Sequence, residues 1–226
     1  MPLAIITGAS RGLGLALARA LGDDGWGLVI DARGTGDLER VSRELGRRTE
    51  VVAIPGDVAD AAHRRALVAA AGERVDLLVN NASVLGPSPQ PQLGTYPLVE
   101  LERVYRVNVL APLALTQLVL PRLIDGGCVI NVTSDAAVEP YEGWGGYGSS
   151  KAALEQLTAI LAAEQPSIRI YALDPGDMRT QLHQEAFPGE DISDRPPPEA
   201  SVPGLLALIA GARPSGRYRA HELVPV

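Results

Sequence analysis

Leu3-Ala4-Ile5-Ile6-Thr7-Gly8-Ala9-Ser10-Arg11-Gly12-Leu13-Gly14 opens the chain with an apolar run and a glycine-rich turn, and leucines and alanines follow at helical spacing over 13–21. This pattern predicts a strand, a loop and a helix. Glycines in such a loop let backbone N–H groups approach a phosphate, and the helix N-terminus adds favourable partial charge. A tight turn also needs glycine, so the motif alone leaves both interpretations open. Its place directly after the first strand favours phosphate binding.

Apolar runs of strand length alternate with helical patterns along the rest of the chain. Strands are predicted at 3–6, 28–30, 51–54, 77–79, 129–132, 168–173 and 218–223, and helices at 13–21, 38–45, 61–71, 99–123, 147–164 and 202–210. Strands that are apolar throughout have both faces covered by helices, as in a parallel sheet. The sequence therefore predicts an α/β fold with a Rossmann-type doubly wound parallel sheet, in a single domain over 1–226.

The composition limits the kinds of partner. Hydrophobic residues make up 46% of the 226 residues, which is ample material for a core, and the formal net charge is −7. A net-acidic surface attracts neither nucleic acid nor an anionic membrane, so we expect neither as a partner. The apolar stretch 107–120 is predicted to be too short and too polar to span a bilayer. With a strand pattern beginning at Leu3, we expect no signal peptide and a cytoplasmic location.

Few residues suit a metal site. Cys128 is the sole cysteine and lies in an apolar run, so a buried core position is favoured over a reactive thiol. His63, His183 and His221 are widely spaced and form no recognisable metal-binding set. We therefore expect no metal.

Unusual residues follow the predicted strands, where the carboxyl ends of a doubly wound sheet bind ligands. They are Thr7-Gly8, Asp31-Ala32-Arg33, Asp57, Asn80-Asn81-Ala82, Ser134 and Pro175-Gly176. Core packing alone does not predict this arrangement, so we expect these residues to meet at one edge of the sheet.

Tyr147-Gly148-Ser149-Ser150-Lys151 places a phenol and an ammonium four residues apart at the start of a predicted helix, where they share a face. A cation beside a phenol favours the phenolate and is expected to lower its pKa towards neutrality. Tyrosine and lysine at this spacing also occur on ordinary helix surfaces. However, Lys151 is the sole lysine of the chain, and every other strongly basic side chain is arginine. A compact amine at this position indicates a role that a planar guanidinium cannot take.

These motifs resemble those of the short-chain dehydrogenase/reductase family, in order and over almost the whole chain. The opening turn is similar to TGxxxGxG, Asn80-Asn81-Ala82 to NNAG, and Asn108-Val109 to the segment with the catalytic asparagine. Ser134 precedes Tyr147 at the family's spacing, Tyr147 and Lys151 match YxxxK, and Pro175 to Thr180 is similar to PGxxxT. One motif would be weak evidence, whereas six in the right order are strong.

The resemblance implies a catalytic role for Asn108, Ser134, Tyr147 and Lys151. Tyr147 would exchange a proton with the substrate oxygen while hydride passes to or from the nicotinamide, and Ser134 would stabilise charge on that oxygen. Lys151 would hold the nicotinamide ribose and lower the pKa of the tyrosine. Asn108 would anchor a water that passes protons to Lys151.

The resemblance also implies a set of cofactor-binding residues. Thr180 and the backbone near Met178 would meet the carboxamide, and Asp57 with Val58 would meet the adenine. With Tyr147 and Lys151, the rest of the set is Gly8, Ser10, Arg11, Leu13, Gly14, Arg33, Asn81, Ala82, Pro175 and Gly176.

The choice of cofactor depends on the end of the second strand. NAD enzymes place a carboxylate at the ribose 2′-hydroxyl, and NADP enzymes place an arginine near the 2′-phosphate. The family's NAD-type acid would fall at Ala32, with Asp31 before it and Arg33 after it. Arg33, aided by Arg11, favours NADP(H), and the nearby Asp31 leaves NAD(H) possible.

Several residues depart from the family pattern or belong to its variable part. Ser83 stands where the motif has its glycine and would slightly crowd the cofactor. Asp135, Tyr141 and Trp144 are expected to line the substrate side, where acidic groups suit a polar or cationic substrate, although a solvated loop with a packed tryptophan fits equally well. His183 lies close enough after Thr180 to reach a substrate, and a variable substrate loop is expected at about 177–200.

The leading hypothesis is an oxidoreductase that transfers a hydride between NADP(H) and a small or medium carbonyl or alcohol, with Tyr147 as general acid and base. A non-catalytic NAD(P)-binding sensor or partner protein is the alternative, and the retained catalytic residues distinguish the two. An isomerase or dehydratase that reuses bound NAD has no specific support. The long helices that carry Asn108 and Tyr147 form the subunit contact in look-alike proteins, so a homodimer or homotetramer is expected.

Overall fold

A seven-stranded sheet forms the centre of the computed structural model, which describes residues 1–211 and 213–223. Every neighbouring pair of strands is parallel, in the order β3-β2-β1-β4-β5-β6-β7. The strands are β1 (Leu3–Ile6), β2 (Gly27–Ala32), β3 (Val51–Pro55), β4 (Val75–Asn80), β5 (Leu123–Val132), β6 (Arg169–Asp174) and β7 (Gly216–Arg219). The order reverses between β1 and β4, which places a crevice at the carboxyl ends of these two strands.

Helices cover both faces of the sheet. They are α1 (Gly12–Asp23), α2 (Thr35–Leu45), α3 (Ala61–Ala70), α4 (Leu98–Tyr105), α5 (Ala111–Val119), α6 (Gly145–Glu164), α7 (Gln181–Ala186) and α8 (Val202–Ile209). α1, α2 and α8 contribute to the core on one face, and α3 and α5 contribute to the core on the other.

Successive side chains of each central strand enter opposite cores, because side chains alternate along a strand. Val29, Ile5, Leu78, Val129 and Ile170 are in register across five strands and pack under α3 and α5. The residues that follow them form the matching row on the other face: Ile30, Ile6, Val79, Ile130 and Tyr171. Because each face of the sheet is buried in a hydrophobic core, these strands are apolar at every position.

The architecture confirms the predicted Rossmann-type fold, with local differences at the element boundaries. The predicted helix over 99–123 is instead α4 and α5 joined by a π-helical turn at Arg106–Leu110. Pro112 has no N–H to donate to the carbonyl of Asn108, which interferes with a regular α-helix at this point. The strand predicted at 218–223 is β7 at Gly216–Arg219, and a 3₁₀ turn follows it. Residues 212 and 224–226 of the predicted domain lie outside the described residues.

The apolar stretch that was predicted to be too short for a bilayer belongs to a longer helical segment. Leu98–Arg122 spans 25 residues, and its most apolar 18-residue window has a mean hydropathy of 1.3, which is long and apolar enough to cross a membrane by length and composition alone. Half of its most apolar window is buried inside the domain. Leu115 and Val119 pack against the sheet, so core packing accounts for much of this apolar character.

Candidate active site

The carboxyl ends of β1 to β6 open onto one cavity of about 930 Å³. It runs from Arg33, past the glycine turn, to Tyr147. Nineteen of the residues predicted for the site line it: Gly8, Ser10, Arg11, Leu13, Arg33, Asp57, Val58, Asn81, Ala82, Ser134, Asp135, Trp144, Tyr147, Lys151, Pro175, Gly176, Met178, Thr180 and His183. Gly14, Asn108 and Tyr141 do not line it.

The glycine turn depends on two glycines for different reasons. Gly8 has φ of 67°, in the left-handed region that glycine adopts without strain. Gly14 was predicted to bind the cofactor, but it lies beneath the turn. A Cβ there would come within 2.5 Å of Asn81 Nδ2 and 2.6 Å of the Gly8 carbonyl oxygen. Gly14 therefore permits close packing, which puts the turn at the cavity wall.

Asn81 and Thr7 hold the turn against β4. Asn81 Nδ2 donates to the carbonyl oxygens of Thr7 at 2.8 Å and Gly8 at 3.1 Å. Thr7 Oγ1 accepts hydrogen bonds from the backbone N–H groups of Asn81 and Ala82, each at 3.0 Å. These contacts join the first and fourth strand ends, where the strand order reverses.

The N-terminus of α1 faces the cavity without a capping side chain. Arg11 precedes the helix in an extended conformation and makes no side-chain cap, and the first turn contains no acidic residue. Gly12 and Leu13, the first helical residues, line the cavity. Backbone N–H groups at such an end attract anions. The turn therefore fits the pyrophosphate of a dinucleotide.

Asp31 lines the cavity at this end, and its carboxylate supports the glycine turn. Its Oδ1 accepts a hydrogen bond from the Gly8 N–H at 2.7 Å, and its Oδ2 lies 2.9 Å from Nε2 of His63. Asp31 is 1% exposed and His63 is 7% exposed. Both carboxylate oxygens are thus occupied inside the protein, which removes the complication that Asp31 posed for the choice of cofactor.

Two arginines line this end of the cavity together with the carboxylates of Asp37 and Asp57. Arg33 is exposed, lines the cavity and forms no ion pair with the other described residues. Arg11 also lines it, with its guanidinium against the amide oxygen of Gln181. Asp57 Oδ1 accepts a hydrogen bond from the Ala59 N–H at 2.8 Å and so stabilises the turn after β3.

At the opposite end, Ser134 is bonded to its neighbour. Its Oγ donates to Asp135 Oδ1 at 2.8 Å, and Asp135 Oδ2 accepts a hydrogen bond from the Tyr141 hydroxyl at 2.9 Å. Tyr141 is 47% exposed and stands behind Asp135, outside the cavity wall. Tyr141, which was expected to line the substrate side, contacts Asp135 of the cavity wall and is not itself part of the lining.

Tyr147 and Lys151 lie side by side in the wall. Lys151 Nζ is 5.4 Å from the centroid of the Tyr147 ring and donates to the Val132 carbonyl oxygen at 2.8 Å. Ser83 and Ser134 line the cavity with this pair, and their hydroxyls act to lower the pKa of Tyr147. Both side chains of the pair are almost fully buried. They lie one turn apart on the same face of α6, as the sequence spacing predicts.

Burial shifts the pKa values of both Tyr147 and Lys151. It raises the pKa of Tyr147 well above its ordinary value, against the effect of the Ser83 and Ser134 hydroxyls. It lowers the pKa of Lys151 from 10.5 to about 8, opposed by the negative charge of Glu155. The expectation that the neighbouring cation brings the pKa of Tyr147 towards neutrality is not met in the protein alone, because desolvation disfavours the phenolate.

Asn108 lies behind the wall, in the π-helical turn. Its Oδ1 accepts hydrogen bonds from the Val84 N–H at 2.9 Å and Ser83 Oγ at 3.1 Å. Its Nδ2 donates to the Val84 carbonyl oxygen at 2.9 Å and Ser150 Oγ at 3.0 Å. The fully buried Asn108 side chain thus connects the segment after β4 to α6.

The far wall of the cavity is partly aromatic. The rings of Trp144 and Tyr147 lie 5.8 Å apart between centroids, and Phe187 packs on Trp144 at 5.9 Å and on His183 at 4.9 Å. Leu85, Leu182 and Ala186 complete this side. α7, which the sequence did not predict, carries His183 into the wall within the expected loop 177–200.

Ser83 and Arg217 are two residues outside the predicted set that contact its members. Ser83 Oγ donates to Asn108 Oδ1, and its position directly after Asn80-Asn81-Ala82 could have identified it from the sequence. Arg217 on β7 donates to Glu155 Oε1 at 2.9 Å, Asp174 Oδ2 at 3.2 Å and the Ser134 carbonyl oxygen at 3.3 Å. Nothing in the local sequence indicates that β7 reaches this site.

The fold and the cavity are those of a dinucleotide-binding domain, with a buried tyrosine–lysine pair at one end. A family model described as short chain dehydrogenase matches residues 2–191. Sepiapterin reductase of Mus musculus is 34% identical over 199 residues, which cover 80% of this chain and 76% of that protein. Benzil reductase ((S)-benzoin forming) of Saccharomyces cerevisiae is 32% identical over 214 residues, covering 89% and 79%.

Among solved structures, a short chain dehydrogenase from Shigella flexneri complexed with NADP has a TM-score of 0.88 and 26% identity, over 97% of each chain. The chain belongs to the short chain dehydrogenase family and is an oxidoreductase that uses a nicotinamide dinucleotide. It is therefore an enzyme.

The buried ammonium gives a testable pH dependence of stability. Lys151 has a pKa of about 8 in the folded protein against 10.5 for the free side chain, so between these values the unfolded chain binds more protons. The unfolding free energy should therefore rise with pH over this window in the wild type relative to Lys151→Met, by an amount on the order of 3 kcal/mol.

Urea titrations across this pH range measure the effect. Tyr147→Phe keeps the lysine and should keep the slope between pH 8 and about 9, below the ordinary pKa of tyrosine, which makes it the matched control over that range. Parallel curves for the wild type and Lys151→Met would contradict the prediction.

Proposed function

We propose that the protein is an NADP(H)-dependent carbonyl reductase or alcohol dehydrogenase that acts on a small or medium substrate, with Tyr147 as general acid and base. The observation that carries this proposal is the single cavity. One end offers an uncapped helix N-terminus and Arg33, and the other offers Ser134, Tyr147 and Lys151. A dinucleotide lying along it would bring its reactive ring to the tyrosine.

The bound nicotinamide supplies or accepts the hydride. Tyr147 gives its hydroxyl proton to the carbonyl oxygen during reduction, or takes the alcohol proton during oxidation. Lys151 holds the ribose, and its charge stabilises the phenolate formed by proton delivery. Ser134 orients the substrate oxygen, and the bond from its Oγ to Asp135 holds the serine in place.

NADP(H) is the proposed cofactor because no carboxylate is free at the end of β2. Asp31 is buried against Gly8 and His63, whereas Arg33 and Arg11 line the cavity at that end. Guanidinium groups recognise phosphate by paired, charge-assisted hydrogen bonds. The similar Shigella flexneri protein was solved with NADP, which supports the proposal.

The cavity wall supports a substrate with an apolar body and a polar group. Trp144, Leu85 and Leu182 offer apolar contacts beside Tyr147. His183 Nε2 is buried without a hydrogen-bond partner among the described residues, and Asp135 adds a carboxylate. Two of the similar proteins are named as reductases, of sepiapterin and of benzil, which favours a carbonyl as the group that reacts.

Tyr147→Phe tests the chemical step. It removes the proton donor and keeps the ring, so turnover should fall by about 100- to 10,000-fold while NADPH still binds. Steady-state assays by reduced-nicotinamide absorbance, with fluorescence titration of NADPH, measure the two effects. Tyr218→Phe, whose hydroxyl donates to the Pro214 carbonyl oxygen outside the cavity, is the control. Substantial turnover by Tyr147→Phe would refute the proposal.

Arg33→Ala tests the cofactor preference. Removing charge-assisted hydrogen bonds to a phosphate should weaken NADP(H) binding by about 10- to 100-fold and leave NAD(H) binding nearly unchanged. Titration with both cofactors measures the ratio. Arg40→Ala, on α2 outside the cavity, controls for the loss of one positive charge. Equal weakening of both cofactors would overturn the assignment of the 2′-phosphate to Arg33.

The proposal extends to assembly and location. Leu98, Val99, Leu110 and Leu118 leave an apolar surface exposed along α4 and α5, which suits a second copy of this chain in a homodimer or homotetramer. We also propose a cytoplasmic enzyme with no membrane or nucleic-acid partner. Light scattering should give a mass of two or four chains, and Leu98→Glu with Leu118→Glu should reduce it. A wild-type monomer would contradict the assembly.

A further inference from the structure

Arg217 of β7 stands outside the cavity lining and contacts three segments that carry the site. Its Nε donates to Glu155 Oε1 of α6 at 2.9 Å, and its Nη2 donates to Asp174 Oδ2 at the end of β6 at 3.2 Å. The same Nη2 donates to the Ser134 carbonyl oxygen, after β5, at 3.3 Å. One side chain of the edge strand therefore reaches the catalytic helix and the ends of two central strands.

The segment that leads into Ser134 is attached to α6 at successive residues. Lys151 Nζ donates to the Val132 carbonyl oxygen at 2.8 Å, and Thr133 Oγ1 donates to Glu155 Oε1 at 2.7 Å. The contact from the β7 guanidinium to the Ser134 carbonyl oxygen comes next along the chain. Because the same guanidinium holds Glu155, the backbone of Ser134 is tied to the helix that carries the catalytic tyrosine.

The end of β6 is tied to the same group. Asp174 is buried, and its Oδ1 accepts a hydrogen bond from the Gly176 N–H at 3.0 Å while its Oδ2 accepts from Arg217. Pro175 and Gly176 line the cavity. The guanidinium therefore also fixes the strand end from which the Pro175-Gly176 turn begins.

Charge supports the same interpretation. The charged and titratable groups around Tyr147 and Lys151 include Asp135 after β5, Glu155 on α6, Asp174 on β6 and Arg217 on β7. The side chains of Glu155 and Asp174 are 15% and 5% exposed, and such carboxylates are costly to bury without a partner. The charge of Asp174 raises the pKa of Tyr147, and that of Glu155 raises the pKa of Lys151. The guanidinium between the two carboxylates offsets both charges.

We propose that Arg217 is a positioning residue for the catalytic step, whose guanidinium fastens the segments of Ser134 and the Pro175-Gly176 turn to the helix of Tyr147 and offsets the carboxylate charge between them. It acts through these residues and does not line the cavity itself. A planar fork of donors suits acceptors on three segments, whereas a compact ammonium does not. The inference rests on the proposed roles of Ser134 and Tyr147.

Arg217→Met should fold, because each acceptor of the guanidinium keeps another hydrogen bond. The remaining donors are the Gly176 N–H to Asp174, the Thr133 hydroxyl to Glu155 and the Ala137 N–H to the Ser134 carbonyl oxygen. The methionine keeps an unbranched apolar stem and removes only the charge and the donors. Losses in this variant therefore report on the link between the three segments.

Steady-state kinetics test the positioning role. With NADPH and a carbonyl substrate found by screening, kcat of Arg217→Met should fall by about 10- to 100-fold, because a misplacement of about 1 Å costs on the order of 100-fold. NADPH affinity, by fluorescence titration, should stay within about threefold, since the glycine turn is untouched. Arg217→Lys keeps the charge without the fork, so its kcat should stay reduced.

Arg19→Met is the matched control. Arg19 makes two hydrogen bonds to the carboxylate of Glu44, at 2.7 and 3.0 Å, and neither residue lines the cavity. The variant therefore loses an arginine–carboxylate pair of the same kind at a distance from the site. Its kcat should match the wild type.

Lys151 supplies a second readout, which needs no substrate. The stability difference between an enzyme and its Lys151→Met derivative rises with pH from a folded-state pKa of about 8 to the free value of 10.5. Arg217→Met should move the start of this rise up by about one pH unit, because Glu155 then acts on the ammonium without an offsetting charge. Glu155→Gln should move it down, since the charge that raises the pKa is gone. Urea titrations at closely spaced pH locate the start, which should stay near the wild-type value in Arg217→Lys and Arg19→Met.

The outcomes separate this inference from the proposed function. A wild-type kcat or an unmoved start of the rise in Arg217→Met would overturn it, even where Tyr147→Phe is inactive, and so would full recovery of kcat in Arg217→Lys. Turnover by Tyr147→Phe would refute the proposed function, while the stability readout would still report on Arg217. If Arg217→Met lost its circular dichroism signal, Arg217→Gln, which keeps amide donors without the charge, replaces it with the same expected shifts.

Discussion

The interaction on which the site depends is the burial of the Lys151 ammonium beside the Tyr147 phenol. A buried ammonium is costly unless polar groups surround it, and here the Val132 carbonyl oxygen accepts its hydrogen bond from the end of β5. One helical turn further on, Glu155 adds negative charge and pairs with Arg217 of β7. The same guanidinium contacts Asp174 and the Ser134 carbonyl oxygen. The catalytic helix and three strand ends therefore form one polar network under the cavity.

The cavity separates two chemical tasks. At one end, the backbone of the glycine turn and two arginines offer positive charge and N–H groups, as a phosphorylated ligand requires. At the other end, the Ser134 hydroxyl and the Tyr147 phenol lie beside the ring of Trp144. The strand-order reversal between β1 and β4 brings both ends to one edge, so the sheet topology connects binding to chemistry.

The sequence predicted the sheet because its information is local. Apolar runs, helical periods and turn residues identified the seven strands and their parallel arrangement, and the strand ends identified the edge that carries most of the site. Features that depend on distant contacts were missed or misjudged. The pKa of Tyr147 is raised because surrounding elements bury its side chain. The Tyr141 hydroxyl donates a hydrogen bond to Asp135, and Asp135, not Tyr141, lines the cavity. Arg217 reaches the site only because β7 lies beside β6.

The position of Asp31 affects how this enzyme can change over evolutionary time. Its carboxylate supports the phosphate turn by holding the Gly8 N–H and the His63 ring, so that position is under a folding constraint. Ala32 and Arg33 also line the cavity, and of these two only Ala32 packs into the core, whereas Arg33 is exposed. Nucleotide preference can therefore drift through substitutions at these two positions while the turn persists. The residue that supports the glycine turn, Asp31, and the exposed residue beside the cofactor end, Arg33, are thus two positions apart in the sequence and can be substituted independently.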